Sequence, residues 1–169
     1  TVALVTDCSA VDVFSVSSIA GNSITPDITL SHAYGTQGSA ATVMRLESYF
    51  YFDGDTGRLG DDSQPIRSLY RRTLDGTSEE LIEGVENLQV LYGQKSGANI
   101  QYLPAGNAAL NMSQVVSVQI AVLVAASNAS RDSDDTTVYT LLNDCVGPPG
   151  NTACAGTYAA KRRLRQVFT

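Results

Sequence analysis

The chain has 169 residues, 43% of them apolar and 17% charged, with a formal net charge of −6. This length and composition allow one domain with a sizeable core and exclude global disorder. The acidic balance argues against general affinity for phosphate backbones, because such binding rests on neutralising charge.

Abundant Tyr, Val and Thr favour strands over helices. Val2–Thr6 and Val11–Ile19 read as strands, followed by a Gly/Asn/Pro loop from Gly21 to Asp27. Ile28–His32 predicts a further short strand, and the small polar segment Ser31–Ala40 a loop. Thr42–Phe52 is the clearest alternating strand, with Met44, Leu46, Phe50 and Phe52 on one face and Arg45 and Glu47 on the other. The polar stretch from Asp53 to Pro65 predicts a long turn into a hairpin partner, Ile66–Thr73. A tight turn around Asp75-Gly76 leads to Glu80–Ile82, then to strands over Val85–Tyr92 and Asn99–Leu103. Gln114–Ala126 has apolar residues on both faces, which predicts a central strand covered on both sides. Asn128–Asp135 reads as a polar loop and Thr137–Leu142 as the hairpin return. Tyr158–Thr169 fits helix or strand, with strand favoured. No repeat or linker divides the chain, so residues 1–169 are expected to form a single domain.

Cys145 and Cys154 bracket VGPPGNTA, a turn-forming insert, and are expected to form a disulfide. A zinc site there would lack ligands, since the spacing is not CxxC and His32 is the only histidine. A disulfide implies an oxidising compartment and leaves Cys8 without an assigned partner. The acidic loop from Asp53 to Asp62 invites a calcium reading. Counted from Asp53, however, the fifth, sixth and twelfth EF-hand positions hold Gly57, Arg58 and Gln64, and the template fails. Asp53, Asp55, Asp61 and Asp62 could gather around a cation only irregularly. Glu79, Glu80, Glu83 and Glu86 have no nucleophile or binding loop beside them, and His32 alone makes no triad. No catalytic residue, metal ligand set or cofactor loop is assigned. Residues 1–44 carry no Lys or Arg, whereas Lys161, Arg162, Arg163 and Arg165 crowd the last nine positions. That basic end is the candidate contact for a partner or for DNA, against the plainer reading of a solvated edge.

Four segments carry a family likeness: VALVTDCSAVDVFSVSSI (Val2–Ile19), LIEGVENLQVLYG (Leu81–Gly93), QVVSVQIAVLVAAS (Gln114–Ser127) and RRLRQVF (Arg162–Phe168). In order and content they resemble the PilW-type minor pilins of bacterial type IV pili. That family shows a "VTDCSAADVF"-like stretch, "LVEG-V-LQ-YG", "VVSVRVALL" and "RRLR-VF". The resemblance implies an α+β pilin-like headgroup, mostly antiparallel β-sheet over this span, with an N-terminal hydrophobic helix lying outside it. It implies a part in starting pilus assembly near the fibre tip, with other minor pilins and the major pilin as partners. Anchorage would be in the inner membrane through that helix, with the body in the periplasm and later extracellular. A J-type pseudopilin of type II secretion shares the architecture. A pilus-linked DNA-uptake or adhesive subunit is the rival that would use the basic end.

Overall fold

The computed structural model describes residues 1–35, 40–159 and 162–169. They gather into two compact units, one of Thr1–Phe50 with Arg72–Ser78 and one of Tyr51–Arg71 with Glu79–Thr169.

The first unit is built on β1 (Val2–Thr6), β2 (Val11–Ala20), β3 (Ser23–Pro26) and β4 (Thr42–Arg45), in sheet order β3-β2-β1-β4. All pairings are antiparallel, with Leu4 opposite both Val13 and Met44. Alternation sends Ala3, Val5 and Phe14 to one face, where Leu30, Tyr34 and Val16 pack on them. The β1–β2 turn is held by the Asp7 carboxylate, which accepts from the Ser9 and Ala10 amides at 3.1 and 3.3 Å. Residues 28–32 pass over this cluster without forming a strand, contrary to expectation. Their hydrogen bonds go to side chains instead, Ser31 N donating to Asp12.

The second unit holds most of β5 (Tyr49–Leu59), β6 (Pro65–Thr73) and β7 (Ser78–Glu83), and all of β8 (Val85–Ser96), β9 (Asn99–Pro104) and β10 (Val115–Ala125). It also contains β11 (Tyr139–Leu141), β12 (Asp144–Gly147), β13 (Gly156–Thr157) and β14 (Arg165–Phe168). Three sheets result, ordered β5-β6-β7, β14-β10-β8-β9 and β11-β12-β13. Its core is Ala121, Leu123, Leu141, Val146 and Tyr158, with Tyr139, Leu142 and Val167 packed around them. The Cys145–Cys154 disulfide lies beside the parallel β12–β13 pairing.

The α+β class is corrected here. Among the described residues the only helical element is a 3-10 turn at Met112–Gln114, and the rest of the regular structure is β. Several element predictions also change. Thr42–Phe52 is two strands, because β1 begins at Val2 and the β4 ladder ends with Leu46 N donating to Val2 O at 3.0 Å. Asp53–Leu59 is strand rather than turn, since its charges meet partners across the sheet: Asp53 holds Arg67, and Arg58 holds Glu80 and Glu83. The true turn is residues 60–64, closed by Gly60 N donating to Gln64 O at 3.0 Å. Residues 139–141 return to β12, not to β10, whose neighbours are β8 and β14.

β10 is interior to its sheet, but it is not covered on both faces. Ala121, Leu123 and Ala125 are buried, whereas Val116, Val118 and Ile120 on the opposite face are 61%, 50% and 55% exposed. Leu123→Ala should therefore destabilise the domain by about 2–5 kcal/mol through the cavity it leaves. Val118→Asp should change stability by about 1 kcal/mol or less, the scale of a strand-propensity effect on an open face. Urea unfolding of the two variants checks this, and an equally large loss at both positions would contradict the one-sided burial.

Candidate functional site

Two glycines of the segment LIEGVENLQVLYG sit where neighbouring groups come close to the chain. Gly84 has φ +88°, and its amide donates to Arg67 O while its carbonyl accepts from Ala125 N, both at 2.8 Å. A Cβ at Gly84 would stand 2.2 Å from Ala125 O, so this junction of β6, β7, β8 and β10 excludes every side chain. Gly93 pairs with Ser117 on one side and Tyr102 on the other. There a Cβ would fall 2.2 Å from Ser117 Oγ, and Ser117 Oγ donates to Tyr102 OH at 3.2 Å across the gap. The two glycines of LIEGVENLQVLYG thus have a packing reason.

The basic end divides by alternation. In an extended segment residues two apart share a side, and here Arg163 and Arg165 turn inward while Arg162 and Leu164 are exposed. Arg163 makes a forked contact with Asp62, Nε to Oδ2 at 2.9 Å and Nη2 to Oδ1 at 2.7 Å, and also donates to the Gln64 and Pro65 carbonyls. Arg165 forks onto Glu86, Nε to Oε2 at 2.6 Å and Nη2 to Oε1 at 3.0 Å. Its Nη1 reaches Asp135 Oδ2 at 3.2 Å, its Nη2 reaches Ala159 O at 2.9 Å, and the guanidinium lies 4.0 Å from the centre of the Tyr158 ring. The backbone around them is zipped to the loop after β10. Ser130 N and Arg131 N donate to Arg162 O, and Ala126 N donates to Leu164 O.

Of the four residues offered as a partner or DNA contact, Arg163 and Arg165 therefore present no charge outward. Their donors are consumed by carboxylates and carbonyls inside the domain. Arg162 is exposed, and Lys161 lies outside the described residues. Asp62, Asp135 and Tyr158 are the partners that sequence reasoning missed. The one signal available was the two-residue spacing of Arg163 and Arg165 in an extended segment.

The acidic groups resolve in the same way. Glu79 meets Arg71, Glu80 and Glu83 share Arg58, and Glu86 holds Arg165. Asp53 meets Arg67, Asp62 meets Arg163, and Asp61 accepts from Ala129 N at 2.7 Å. These carboxylates do not converge, and no group of three metal-ligating side chains occurs among the described residues. His32 has Asp7 and Ser9 nearby, but Asp7 Oδ2 at 3.1 Å and Ser9 Oγ at 3.4 Å both face Nε2. A relay needs its acid and its nucleophile on opposite ring nitrogens, so this set is no triad.

Residues 50–169 match the family described as type IV pilus-assembly protein W, and the chain belongs to that family. This is an assembly family of the type IV pilus, not a known enzyme family, and its members work with other pilus components at the cell envelope. No curated protein and no solved structure matches the chain.

The buried carboxylates make stability depend on pH. Hydrogen bonds from Arg163 hold Asp62 below the ordinary carboxylate range. Burial opposes the charge on Asp135, yet hydrogen bonds from Tyr139, Thr137 and Arg165 outweigh it and hold that group low as well. Burial likewise pushes the Tyr158 hydroxyl up to about 12. For carboxylates lowered in the folded state, the stabilisation is complete above the ordinary range and is lost as pH falls toward the folded-state values. Thermal unfolding followed from about pH 6 down to about pH 3 should show a falling melting temperature. An Asp62→Asn variant should be less stable at the upper end and fall less steeply. A parallel decline in both proteins would remove Asp62 from the account.

Proposed function

We propose that this chain is a minor pilin that helps to initiate type IV pilus assembly near the fibre tip, acting by association with other minor pilins and the major pilin. A hydrophobic helix outside the sequence would hold it in the inner membrane beforehand. The body would then stand in the periplasm and later in the extracellular fibre. The disulfide fits such an oxidising location.

The observation that supports this reading is the open apolar face of the β14-β10-β8-β9 sheet. Val118 is in register with Tyr92, Ile120 with Val90, and Val122 with both Leu88 and Phe168. Paired residues share a face, so these side chains form one continuous apolar surface. Val118, Ile120 and Phe168 are exposed, and the others are half-buried. A contiguous apolar patch of this kind marks a surface that meets another protein. Meanwhile Arg163 and Arg165 of the basic end are paired with Asp62, Glu86 and Asp135 within the chain, so the apolar face is the stronger candidate for recognition.

The test is made in the full-length gene, with Val118→Asp and Ile120→Asp combined. Folding of the isolated domain should be retained. Surface pili should fall by about tenfold or more, a change that needs only ~1.4 kcal/mol of lost contact energy. The major pilin should still be made and processed. Wild-type pilus numbers in the double variant, with no paralogue to substitute, would defeat the reading.

A further inference from the structure

β10 is longer than the strand beside it. It runs from Val115 to Ala125, yet β14 pairs with Val122–Ala125 alone. Along Val115–Ala121 no strand lies on that side among the described residues, while the β8 ladder continues on the other. Alternation says which backbone groups this leaves open. Ala126 N donates to Leu164 O on the β14 side, and Ala125 N donates to Gly84 O on the β8 side. Successive residues of an antiparallel strand turn their hydrogen-bonding groups to alternate neighbours. Counted back by twos, Val124 and Val122 serve β14, and the amides and carbonyls of Ile120 and Val118 point to the same side beyond its end.

An unpaired edge is a template for another strand, and proteins blunt such edges with charge, proline or brevity. Other edges of this fold follow that rule. β7 carries Glu79, Glu80 and Glu83, β5 carries Asp53, Asp55 and Arg58, and β3 and β9 end in Pro26 and Pro104. The free part of β10 reads VVSVQIA, without charge or proline, and Val116, Val118 and Ile120 are half or more exposed. This span also fits a second copy of itself. Two identical antiparallel strands are related by a two-fold axis, and an axis through Val118 sets Val118 against the partner's Val118 and Ile120 against the partner's Val116. β-branched side chains then oppose one another on the open face, and Ser117 opposes the partner's Gln119 on the other. With the axis at Gln119, Val116 would collide with the place that β14 holds beside the partner's Val122. With the axis at Ser117, Gln114 of the 3-10 turn would have to serve as strand. An axis between residues would set outward groups against inward ones. No charge lies in the span, so nothing in it repels a second copy.

We propose that the free edge of β10 is a self-association site: two copies of this chain pair antiparallel through residues 116–120, with Val118 on the two-fold axis, and their two sheets become one. The contact is short, so the dimer is weak and forms at high local concentration. It uses the edge of the strand and leaves its open face available. The pairing stands without the pilin reading, and its failure would leave the pilus count of the open-face double variant unaffected.

The experiment combines sedimentation equilibrium with amide hydrogen exchange on the 169-residue protein, from about 10 μM to about 1 mM, a range that brackets a weak interface. Cys8→Ser is the background throughout, so that the exposed thiol cannot link copies. The protein should pass from monomer to dimer across this range. Exchange at Val118 and Ile120 should slow by about tenfold as the pairing forms. Gln119 and Ala121, whose amides already serve β8, should not change. Val118→Lys and Val118→Glu should each stay monomeric, because each sets like charges directly opposite. An equal mixture of those two variants should dimerise. The proposal is overturned if exchange at Val118 and Ile120 is independent of concentration, including the case where both are protected at the lowest one because the chain covers its own edge. It is overturned as well if either charged variant dimerises like the parent protein, if the mixture does no better than its parts, or if species larger than a dimer form instead.

Discussion

The second unit depends on one buried cation. Arg165 is fully enclosed with Asp135, next to Glu86, and the flat face of its guanidinium rests on Tyr158. Taking an isolated charge out of water is prohibitive, so a buried arginine persists only where its donors are fully matched. Here the matching groups come from three places in the chain: the start of β8, the loop after β10, and the adjacent Tyr158 ring and Ala159 carbonyl. Each is fixed in place by the need to satisfy the same side chain. Burial works against the Arg165 charge, but the hydrogen bonds and fields of Glu86 and Asp135 keep the group firmly protonated. Arg163 does the same for the turn at residues 60–64 through Asp62.

Around these anchors the fold divides its surfaces. Gly84 and Gly93 let strands approach where any side chain would collide, which keeps the β14-β10-β8-β9 sheet closely knit. One face of that sheet is spent on the core with Leu123, Leu141 and Val146. The other face stays apolar and open. An uncovered apolar sheet face is the kind of surface that meets other proteins, in keeping with membership of a pilus-assembly family.

The β content and most strands were legible because alternation and Tyr, Val and Thr usage report directly on a pleated, half-buried surface. The Cys145–Cys154 pairing was legible from the short Pro/Gly insert between the two residues. What the chain conceals is non-local. Asp53, Asp55, Asp61 and Asp62 look like a turn because local composition says so, yet the strand through Asp53 and Asp55 is held by Arg67, which pairs with Asp53, and by its own Arg58, whose partners Glu80 and Glu83 lie further along the chain. The basic end looked like a surface patch because Asp62, Glu86 and Asp135, which turn Arg163 and Arg165 inward, lie 101, 79 and 30 residues away in sequence. Gln114–Ala126 looked doubly buried because apolar composition cannot distinguish a covered face from an exposed one. The α+β expectation came from family resemblance and not from any helical period in these residues.

Arg165 is an internal fastener of the second unit, and a mutant cycle measures this directly. Urea unfolding would compare the wild type, Arg165→Met, the pair Glu86→Gln with Asp135→Asn, and all three changes together. Arg165→Met alone should lower stability by about 3–5 kcal/mol, because it strands two carboxylates in a buried site. Neutralising those carboxylates in the same protein should restore a large part of that loss, giving a coupling of at least about 1–3 kcal/mol. Additive effects, or a loss below about 0.5 kcal/mol for Arg165→Met, would mark a surface residue and not a buried fastener.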